Sequence, residues 1–191
     1  MLIVEGSDLL GKTELCHGLI ECLNKTGPDV PYEYAHSGLP PDDWDYYWSY
    51  VKRIKPNIVQ DRFHLSEITY GNVARKKTRI TDDTLRLVQG NLRLCGAYTV
   101  VLTSDDTYIK HMYERRKQEE MFSLDIILAV NHSFQNMLDE SYRYDIDYSI
   151  DVSKMRAYDI RDMPNQIVDY YLKRQKHLRD TAIEGQPDEA I

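Results

Sequence analysis

Short apolar segments alternate with helical patterns along most of this 191-residue chain. Segments rich in β-branched or aromatic residues are predicted to be strands, over residues 1–4, 30–35, 57–60, 97–103 and 144–152. Apolar positions at helical spacing predict helices over 14–23, 44–54, 64–75, 81–94, 105–117, 123–141 and 162–178. This order of elements predicts an α/β fold, in which helices cover a five-stranded parallel sheet and ligands bind at the carboxyl ends of the strands.

Length and composition indicate one domain. Hydrophobic residues make up 42% of the chain, which is enough for one core, and no repeat or low-complexity segment interrupts it. We expect a single domain over residues 1–180 and a polar tail over 181–191. Leu39–Asp43 is predicted to form a turn, and Thr81 is predicted to cap the helix over 81–94.

The charge and the cysteines restrict the function classes. A formal net charge of −7 argues against binding to nucleic acid polymers, which requires clustered cations. No apolar run approaches the roughly 18 residues of a membrane span, and the profile of a signal peptide is absent. Cys16, Cys22 and Cys95 lack C-x-x-C or metal-site spacing, which favours a reducing compartment. We therefore expect a cytoplasmic protein without a membrane partner.

Residues 6–13 spell G-x-x-x-x-G-K-T between a predicted strand and a predicted helix. This context is typical of a phosphate-binding loop, in which glycines let backbone N–H groups converge on an anion at a helix start. Lys12 can reach the terminal phosphates, and the Thr13 hydroxyl is placed to bind Mg²⁺. The alternative is a glycine turn before an ordinary helix. The predicted nucleoside triphosphate site comprises Gly6, Ser7, Asp8, Leu9, Leu10, Gly11, Lys12 and Thr13.

Asp61 and Arg62 follow the third predicted strand directly. In an open parallel sheet that strand end lies near the phosphate loop, so both side chains are expected to face the reaction centre. A carboxylate there can hold Mg²⁺ or its water, and an arginine can bind a phosphate through two hydrogen bonds. The alternative is a surface ion pair, which would contribute little to stability.

A charged segment over residues 114–123 is predicted to form a lid. Arg115 and Arg116 end a predicted helix and precede a glycine-free charged break. A lid that closes with an arginine excludes water and stabilises a transferring phosphoryl group. The alternative is a solvated helix face, because Glu and Lys are interspersed among the arginines.

These motifs resemble those of the thymidylate kinase and deoxynucleoside kinase branch of P-loop kinases, and the chain is most similar to the thymidylate-kinase-like nucleotide kinases of bacteriophages. Asp8 at the third loop position and Asp61-Arg62-Phe63 after the third strand carry the resemblance, which extends over nearly the whole chain. It implies a P-loop nucleoside monophosphate kinase-like fold with a lid. It also implies location in the host cytoplasm for a viral protein, and relatives are often homodimers.

The resemblance assigns roles to residues around the acceptor. It implies that Arg62 holds the acceptor phosphate and that Asp61 contributes to metal or acceptor geometry. By spacing, Tyr70 would flank the deoxyribose and disfavour a 2′-hydroxyl, and Ser66 and Glu67 would lie near the acceptor base. Asp8 and Phe63 belong to the same motifs, and Asp8 would lie near the sugar or the metal-bound water.

Two departures from the family pattern matter. Leu9 occupies a place where some relatives carry an arginine, which shifts the expected catalytic charge to Arg115 or Arg116 of the lid. The segment that normally carries the base-stacking and base-pairing residues is shortened here. An aromatic surface could instead come from Trp44, Tyr47, Trp48 or Phe63, although aromatic residues on a helix more often belong to the core.

The expected activity is ATP- and Mg²⁺-dependent phosphorylation of a deoxynucleoside monophosphate, with dTMP as the first-choice acceptor and modified pyrimidines left open. The partners are then small-molecule nucleotides. The alternative within enzymes is a deoxynucleoside kinase that acts on a 5′-hydroxyl. It is disfavoured because Asp61 stands where nucleoside kinases usually have Glu, and because no obvious Glu follows the second predicted strand to deprotonate a sugar hydroxyl. The alternative of another class is a nucleotide-binding switch or assembly protein, although the N-K-x-D motif of GTPase switches is absent.

Overall fold

The computed structural model of the chain describes residues 1–38 and 46–184. The predicted turn over 39–43, Trp44, and the end of the predicted tail, 185–191, lie outside the described residues. The single-domain boundary at residue 180 stays a prediction.

The strands of the described residues lie parallel in a five-stranded sheet, which confirms the predicted α/β fold class. They are β1 (Leu2–Gly6), β2 (Glu33–His36), β3 (Ile58–Asp61), β4 (Tyr98–Thr103) and β5 (Tyr148–Asp151). Their order across the sheet is β2-β3-β1-β4-β5. In this register Val4 of β1 lies opposite Asp61 of β3. The carboxyl ends of β1 and β3, which carry both predicted motifs, are therefore adjacent.

Helices connect the strands and cover both faces of the sheet. In the described residues they are α1 (Lys12–Lys25), α2 (Tyr46–Val51), α3 (His64–Ala74), α4 (Asp82–Leu94), α5 (Asp106–Arg116), α6 (Leu124–Asp139), α7 (Ser141–Tyr144) and α8 (Ala157–Glu184). The predicted cap of α4 is confirmed, because the Thr81 hydroxyl accepts a hydrogen bond of 3.2 Å from the N–H of Thr84.

The central strand β1 is buried on both faces, as expected for a strand inside a parallel sheet. Leu2 and Val4 point into one apolar core, which also takes side chains from α1 and α8. Ile3 points to the opposite face, into a second core formed with α3, α4 and α6. The two cores hold β1 in place, and with it the loop that follows.

Boundaries predicted near the C-terminus are wrong for three elements, namely the helix over 123–141, the last strand and the final helix. The predicted helix over 123–141 divides into α6 and α7, and Asp145 ends α7 in the left-handed region with φ of 50°. The last strand therefore begins at Tyr148 rather than at residue 144.

The final helix α8 extends beyond its predicted range of 162–178 at both ends and contains Pro164. Pro164 packs against Gly18 of α1, where an added Cβ would come within 2.8 Å of the proline ring. Packing against α1 thus overrides the local tendency of proline to begin or interrupt a helix. No helix within residues 1–38 and 46–184 combines the length and apolar character needed to cross a bilayer.

Candidate active site

The loop after β1 has the backbone geometry that its sequence predicts. Gly6 adopts φ of 142° and Gly11 adopts φ of 73°, both in the region that glycine tolerates best. An added Cβ at Gly6 would lie 2.6 Å from the carbonyl oxygen of Leu102 in β4, so the strand packing also requires glycine there. Helix α1 begins at Lys12 directly after this loop, so its N-terminus faces the loop interior.

Lys12 folds back over the loop. Its side chain is 6% exposed, and its ammonium donates a hydrogen bond of 2.5 Å to the carbonyl oxygen of Ser7. Burial, with a smaller contribution from the nearby Arg62 guanidinium, lowers the pKa of Lys12 to about 8. A desolvated cation at this position interacts strongly with an incoming polyphosphate, whose charge would favour the protonated lysine.

Thr13 and Asp61, the two predicted metal-binding residues, are in direct contact. The Thr13 hydroxyl donates a hydrogen bond of 2.7 Å to Oδ2 of Asp61. The Tyr34 hydroxyl donates a second bond of 3.0 Å to the same oxygen. Oδ1 of Asp61 is buried and has no hydrogen-bond partner among the described residues, so it is available to a cation or its water.

This donor set suits Mg²⁺. Magnesium is usually held by one or two protein oxygens together with substrate phosphates and water, so it does not need a cluster of acidic side chains. No cluster of three or more potential ligands from His, Cys, Asp and Glu occurs in the part of the chain that the structure describes. Thr13 and Asp61 therefore form the candidate metal corner of the site.

The predicted residues Asp8, Arg62 and Tyr70 form a second cluster. The Arg62 guanidinium forms an ion pair with Oδ1 of Asp8. The Tyr70 hydroxyl donates a hydrogen bond of 3.0 Å to Oδ2 of Asp8, and the guanidinium lies 5.0 Å from the centre of the tyrosine ring. The phosphate loop is thus connected directly to the residues expected to hold the acceptor. Nε of Arg62 is buried without a hydrogen-bond partner among the described residues.

A cavity of about 260 Å³, lined by both charged and aromatic side chains, opens beside this cluster. Arginines from three different elements face it: Arg53 after α2, Arg62 after β3 and Arg75 at the end of α3. The other lining residues are Asp8, His36, Ser37, Gly38, Tyr50, Phe63, Ser66, Glu67, Tyr70, Glu119, Glu120, Met121 and Phe122. We call this the acceptor cavity, because it combines cations for a phosphate with aromatic walls for a base.

The predicted base-contact residues are occupied by protein partners. The Ser66 hydroxyl donates to Oε2 of Glu5 at 2.5 Å, and Glu67 pairs with Arg75 at 2.5 Å. Both still line the acceptor cavity, as does Phe63.

The aromatic candidates differ in their placement. Phe63 is buried and packs edge-on against Tyr50 with ring centres 4.8 Å apart. Trp48 is 54% exposed and, like Tyr47, does not line the acceptor cavity. The aromatic residues that line the acceptor cavity are therefore Tyr50, Phe63, Tyr70 and Phe122, and the exposed face of α2 does not contribute to it.

A second cavity, of about 290 Å³, lies on the other side of the phosphate loop. It is mainly apolar, and Glu14, Tyr108 and Arg116 are its polar side chains. The remaining lining residues are Leu9, Leu10, Gly11, Leu15, Leu102, Met112, Val152, Met163 and Pro164. The side chains of Leu9 and Leu10 are thus buried here, while their backbone forms part of the loop. A flat, largely apolar nucleobase suits such a wall.

The segment over 114–123 contacts both cavities, but its two arginines are placed differently. Arg116 lines the apolar cavity, and its guanidinium lies 3.8 Å from the carboxylate of Glu14. Arg115 is exposed and lines neither cavity. Glu120 faces the acceptor cavity, where burial and then the nearby Asp8 raise its pKa. Phe122 packs against Tyr70 with ring centres 5.5 Å apart.

Four residues at or next to the site were not predicted from the sequence: Glu5, Tyr34, Tyr50 and Arg53. Tyr34 lies on the edge strand β2, and the parallel register of β2 and β3 brings it to Asp61. Tyr50 and Arg53 are three residues apart, a spacing that places both on one side of a helix. That spacing was the available signal, but it did not show which side faces a cavity.

Comparisons with known proteins agree on the fold. No protein-family model matches the sequence, and no curated protein matches it. The YorR protein of Bacillus subtilis, solved in complex with phosphorylated GDP, is similar in structure, with a TM-score of 0.68 and 16% identity over 92% of this chain and 97% of that one.

Deoxyadenosine kinase from M. mycoides is also similar in structure. With bound dCTP it has a TM-score of 0.53 and 14% identity, covering 89% of this chain and 100% of that one. With bound dATP it has a TM-score of 0.51 and 14% identity, and the match covers 88% of this chain and 98% of that one. The chain thus has the P-loop kinase-like α/β fold that these proteins share.

Proposed function

We propose that the protein is an ATP- and Mg²⁺-dependent deoxynucleoside monophosphate kinase and that dTMP is its preferred acceptor. The observation that carries this proposal is the ion pair between Asp8 and Arg62. It joins a complete phosphate loop to a cavity that three arginines face. Such an arrangement suits transfer between two phosphates, because the acceptor already carries negative charge.

In the proposed reaction, an oxygen of the acceptor phosphate attacks the γ-phosphorus of ATP. The bond from the γ-phosphorus to the β,γ-bridging oxygen breaks, and dTDP and ADP are the products. Lys12 and the loop amides would bind the donor phosphates, and Arg62 would orient the acceptor phosphate. Magnesium, held by Thr13 with Asp61 nearby, would neutralise charge on the donor phosphates. Arg116 would reach the transferring group when the lid closes.

The cavities agree with two nucleotide substrates. The apolar cavity beside Leu10 and Arg116 suits the donor base, and the acceptor cavity suits the nucleotide that receives the phosphate. Tyr70 is held by Asp8 and packed by Phe122, so its ring cannot easily move away from a bulkier sugar. We therefore expect deoxyribose to be preferred over ribose.

The phosphate acceptor is favoured over a nucleoside. A nucleoside kinase needs a base close to the 5′-hydroxyl, and no carboxylate occurs in residues 36–38, the described stretch at the end of β2 and after it. Of the carboxylates that line the acceptor cavity, Asp8 pairs with Arg62 and Glu67 pairs with Arg75, while Glu119 and Glu120 belong to the lid segment. The phosphate of a monophosphate is ionised near neutral pH and needs no such base.

The direct test is a coupled assay of ATP consumption with a panel of deoxynucleosides and their monophosphates. We expect the highest kcat/KM with dTMP and little activity without Mg²⁺. Faster turnover of thymidine than of dTMP would contradict the monophosphate assignment. ATP hydrolysis without transfer to any acceptor would instead support the nucleotide-binding switch.

A further inference from the structure

Glu5 is a fully buried carboxylate next to the phosphate loop. It is the penultimate residue of β1, directly before Gly6, and it is 0% exposed. Its Oε1 accepts hydrogen bonds of 3.0 Å from the N–H groups of Phe63 and Leu65. Its Oε2 accepts bonds from the N–H of Ser66 at 3.2 Å and from the Ser66 hydroxyl at 2.5 Å. All four donors belong to the start of α3 or to the residue before it.

These bonds replace a local helix cap. The first N–H groups of a helix have no partner within the helix, and a side chain at the preceding residue normally satisfies one of them. Phe63 precedes α3 and cannot do so. A carboxylate from another strand caps α3 instead, and its charge suits the positive end of the helix. The N-terminus of α3 is therefore attached to β1 and not to its own preceding loop.

The attachment lies beside a strained turn. Arg62 adopts φ of 62°, a left-handed conformation that costs energy for a residue with a side chain. Its N–H donates a bond of 2.9 Å to the carbonyl oxygen of Val4, and its own carbonyl accepts a bond of 2.9 Å from Gln60. The bond from Phe63 to Glu5 holds the next residue. The turn is thus fixed on both sides, with the Arg62 guanidinium directed at Asp8.

We infer that Glu5 is a positioning residue that locks the start of α3 to β1 beside the phosphate loop, so that Arg62 and Tyr70 meet the acceptor in a fixed geometry. Glu5 does not line the acceptor cavity, so it acts through these two residues. The hydrogen bonds between Glu5 and the start of α3 are observed in the structure, whereas the expected effect of Glu5 on turnover rests on the proposed function.

The test compares Glu5→Gln with Glu21→Gln as a matched control. Glutamine keeps the shape of glutamate but has an NH₂ group in place of one carboxylate oxygen. This NH₂ donor would face the N–H or hydroxyl donors at the start of α3, which bind an oxygen in the wild type. Glu21 lies on α1, is 69% exposed, and pairs with Lys25 at 2.7 Å. Hydrogen exchange of the amides of Phe63, Leu65 and Ser66 reports the attachment without any substrate.

We expect Glu5→Gln to accelerate exchange of these amides about tenfold or more relative to the rest of α3, and the control to leave them unchanged. We also expect the KM for dTMP to rise about tenfold while the KM for ATP changes little. In an Arg62→Ala background, Glu5→Gln should add little further loss, since both changes act on one contact.

Unchanged exchange of these three amides in Glu5→Gln would overturn the inference. A fall in Tm together with an equal rise in both KM values would also overturn it, and so would full additivity with Arg62→Ala, because a residue that only supports the core would behave in that way. If the wild type phosphorylates no monophosphate, the proposed function fails by itself, and the exchange measurement still decides whether Glu5 holds α3.

Discussion

The hydroxyl of Thr13 donates a hydrogen bond of 2.7 Å to the carboxylate of Asp61, 48 residues later in the sequence. The bond connects the first turn of α1 to the end of β3. It exists because β1 and β3 are parallel neighbours whose carboxyl ends meet at the same edge of the sheet. The contact joins the proposed donor side of the site to the proposed acceptor side, and it identifies substitutions that test the two sides separately.

The metal corner can be tested through Asp61. We expect Asp61→Asn to raise the Mg²⁺ concentration for half-maximal activity by about 10- to 100-fold, since it weakens the group that orients the Thr13 ligand. Titration of Mg²⁺ at fixed nucleotide concentrations measures this. Asp29→Asn, a substitution at an exposed acidic residue in the loop before β2, is the control. An unchanged Mg²⁺ dependence would rule out a role of Asp61 in metal binding.

Lys12 is expected to be essential for transfer. Lys12→Met removes the buried charge but keeps most of the side-chain volume, so the fold should persist. Turnover should fall by roughly 10²- to 10³-fold, because the charge acts on the phosphates in a site with little water. Steady-state kinetics with a thermal unfolding check measure this, and Lys25→Met at the exposed end of α1 is the control. Turnover within a few-fold of the wild type would show that the loop does not perform the chemistry.

Arg62 is expected to contribute to binding of the acceptor nucleotide but not to binding of ATP. Arg62→Ala should raise the KM for dTMP by about 10- to 100-fold, the effect of losing a charged hydrogen bond, and should leave ATP affinity nearly unchanged. Separate binding titrations with dTMP and with a non-hydrolysable ATP analogue give the two values. Arg86→Ala on the exposed face of α4 serves as the control. Equal losses in both affinities would contradict the assignment of Arg62 to the acceptor phosphate.

The two lid arginines form a natural pair of test and control. Arg116 lines the apolar cavity and lies near Glu14, whereas Arg115 lines neither cavity. Arg116→Ala should lower the rate of the chemical step by at least about tenfold, since its contact forms mainly in the closed state. Arg115→Ala should be close to neutral. Single-turnover kinetics separate the two cases. If both variants retain wild-type rates, Arg75 becomes the next candidate, because it faces the acceptor cavity.

The buried carboxylate of Glu5 gives the folded protein a specific pH dependence. Burial raises the pKa of Glu5 from 4.5 to about 7, although its hydrogen bonds oppose that shift. The folded state therefore binds this proton more tightly than the unfolded chain does. The contribution of Glu5 protonation to the free energy of unfolding is therefore fully present below the unfolded pKa of 4.5 and is lost as the pH rises through 7.

We expect the free energy of unfolding of the wild type, relative to that of Glu5→Gln, to fall by up to about 3 kcal/mol from acidic to slightly alkaline pH. Urea unfolding of both proteins at each pH, without nucleotide, measures the difference. A difference that stays constant or rises with pH would contradict the prediction.

Local sequence patterns were enough to predict the fold class and to place the two central motifs at neighbouring strand ends. The glycine loop between β1 and α1 was predictable because glycine spacing, a lysine and the flanking strand and helix are all local features. Asp61 and Arg62 were predictable because the end of a parallel strand reaches the same edge as the loop. All the elements predicted near the C-terminus are present, but their boundaries differ from the prediction. There, Asp145 adopts a left-handed conformation and α8 continues through Pro164 because it packs on α1.

Which side chains face each other across the site depends on packing between elements that are distant in the sequence. Glu5 reads in the sequence as one polar residue in an apolar strand, and only the adjacent start of α3 makes it a helix cap. Tyr34 and Arg53 reach the site through strand order and helix orientation, which depend on contacts between residues far apart in the chain. The same holds for Arg116, because the spacing that separates it from Arg115 fixes their relative directions but not which one faces the cavity.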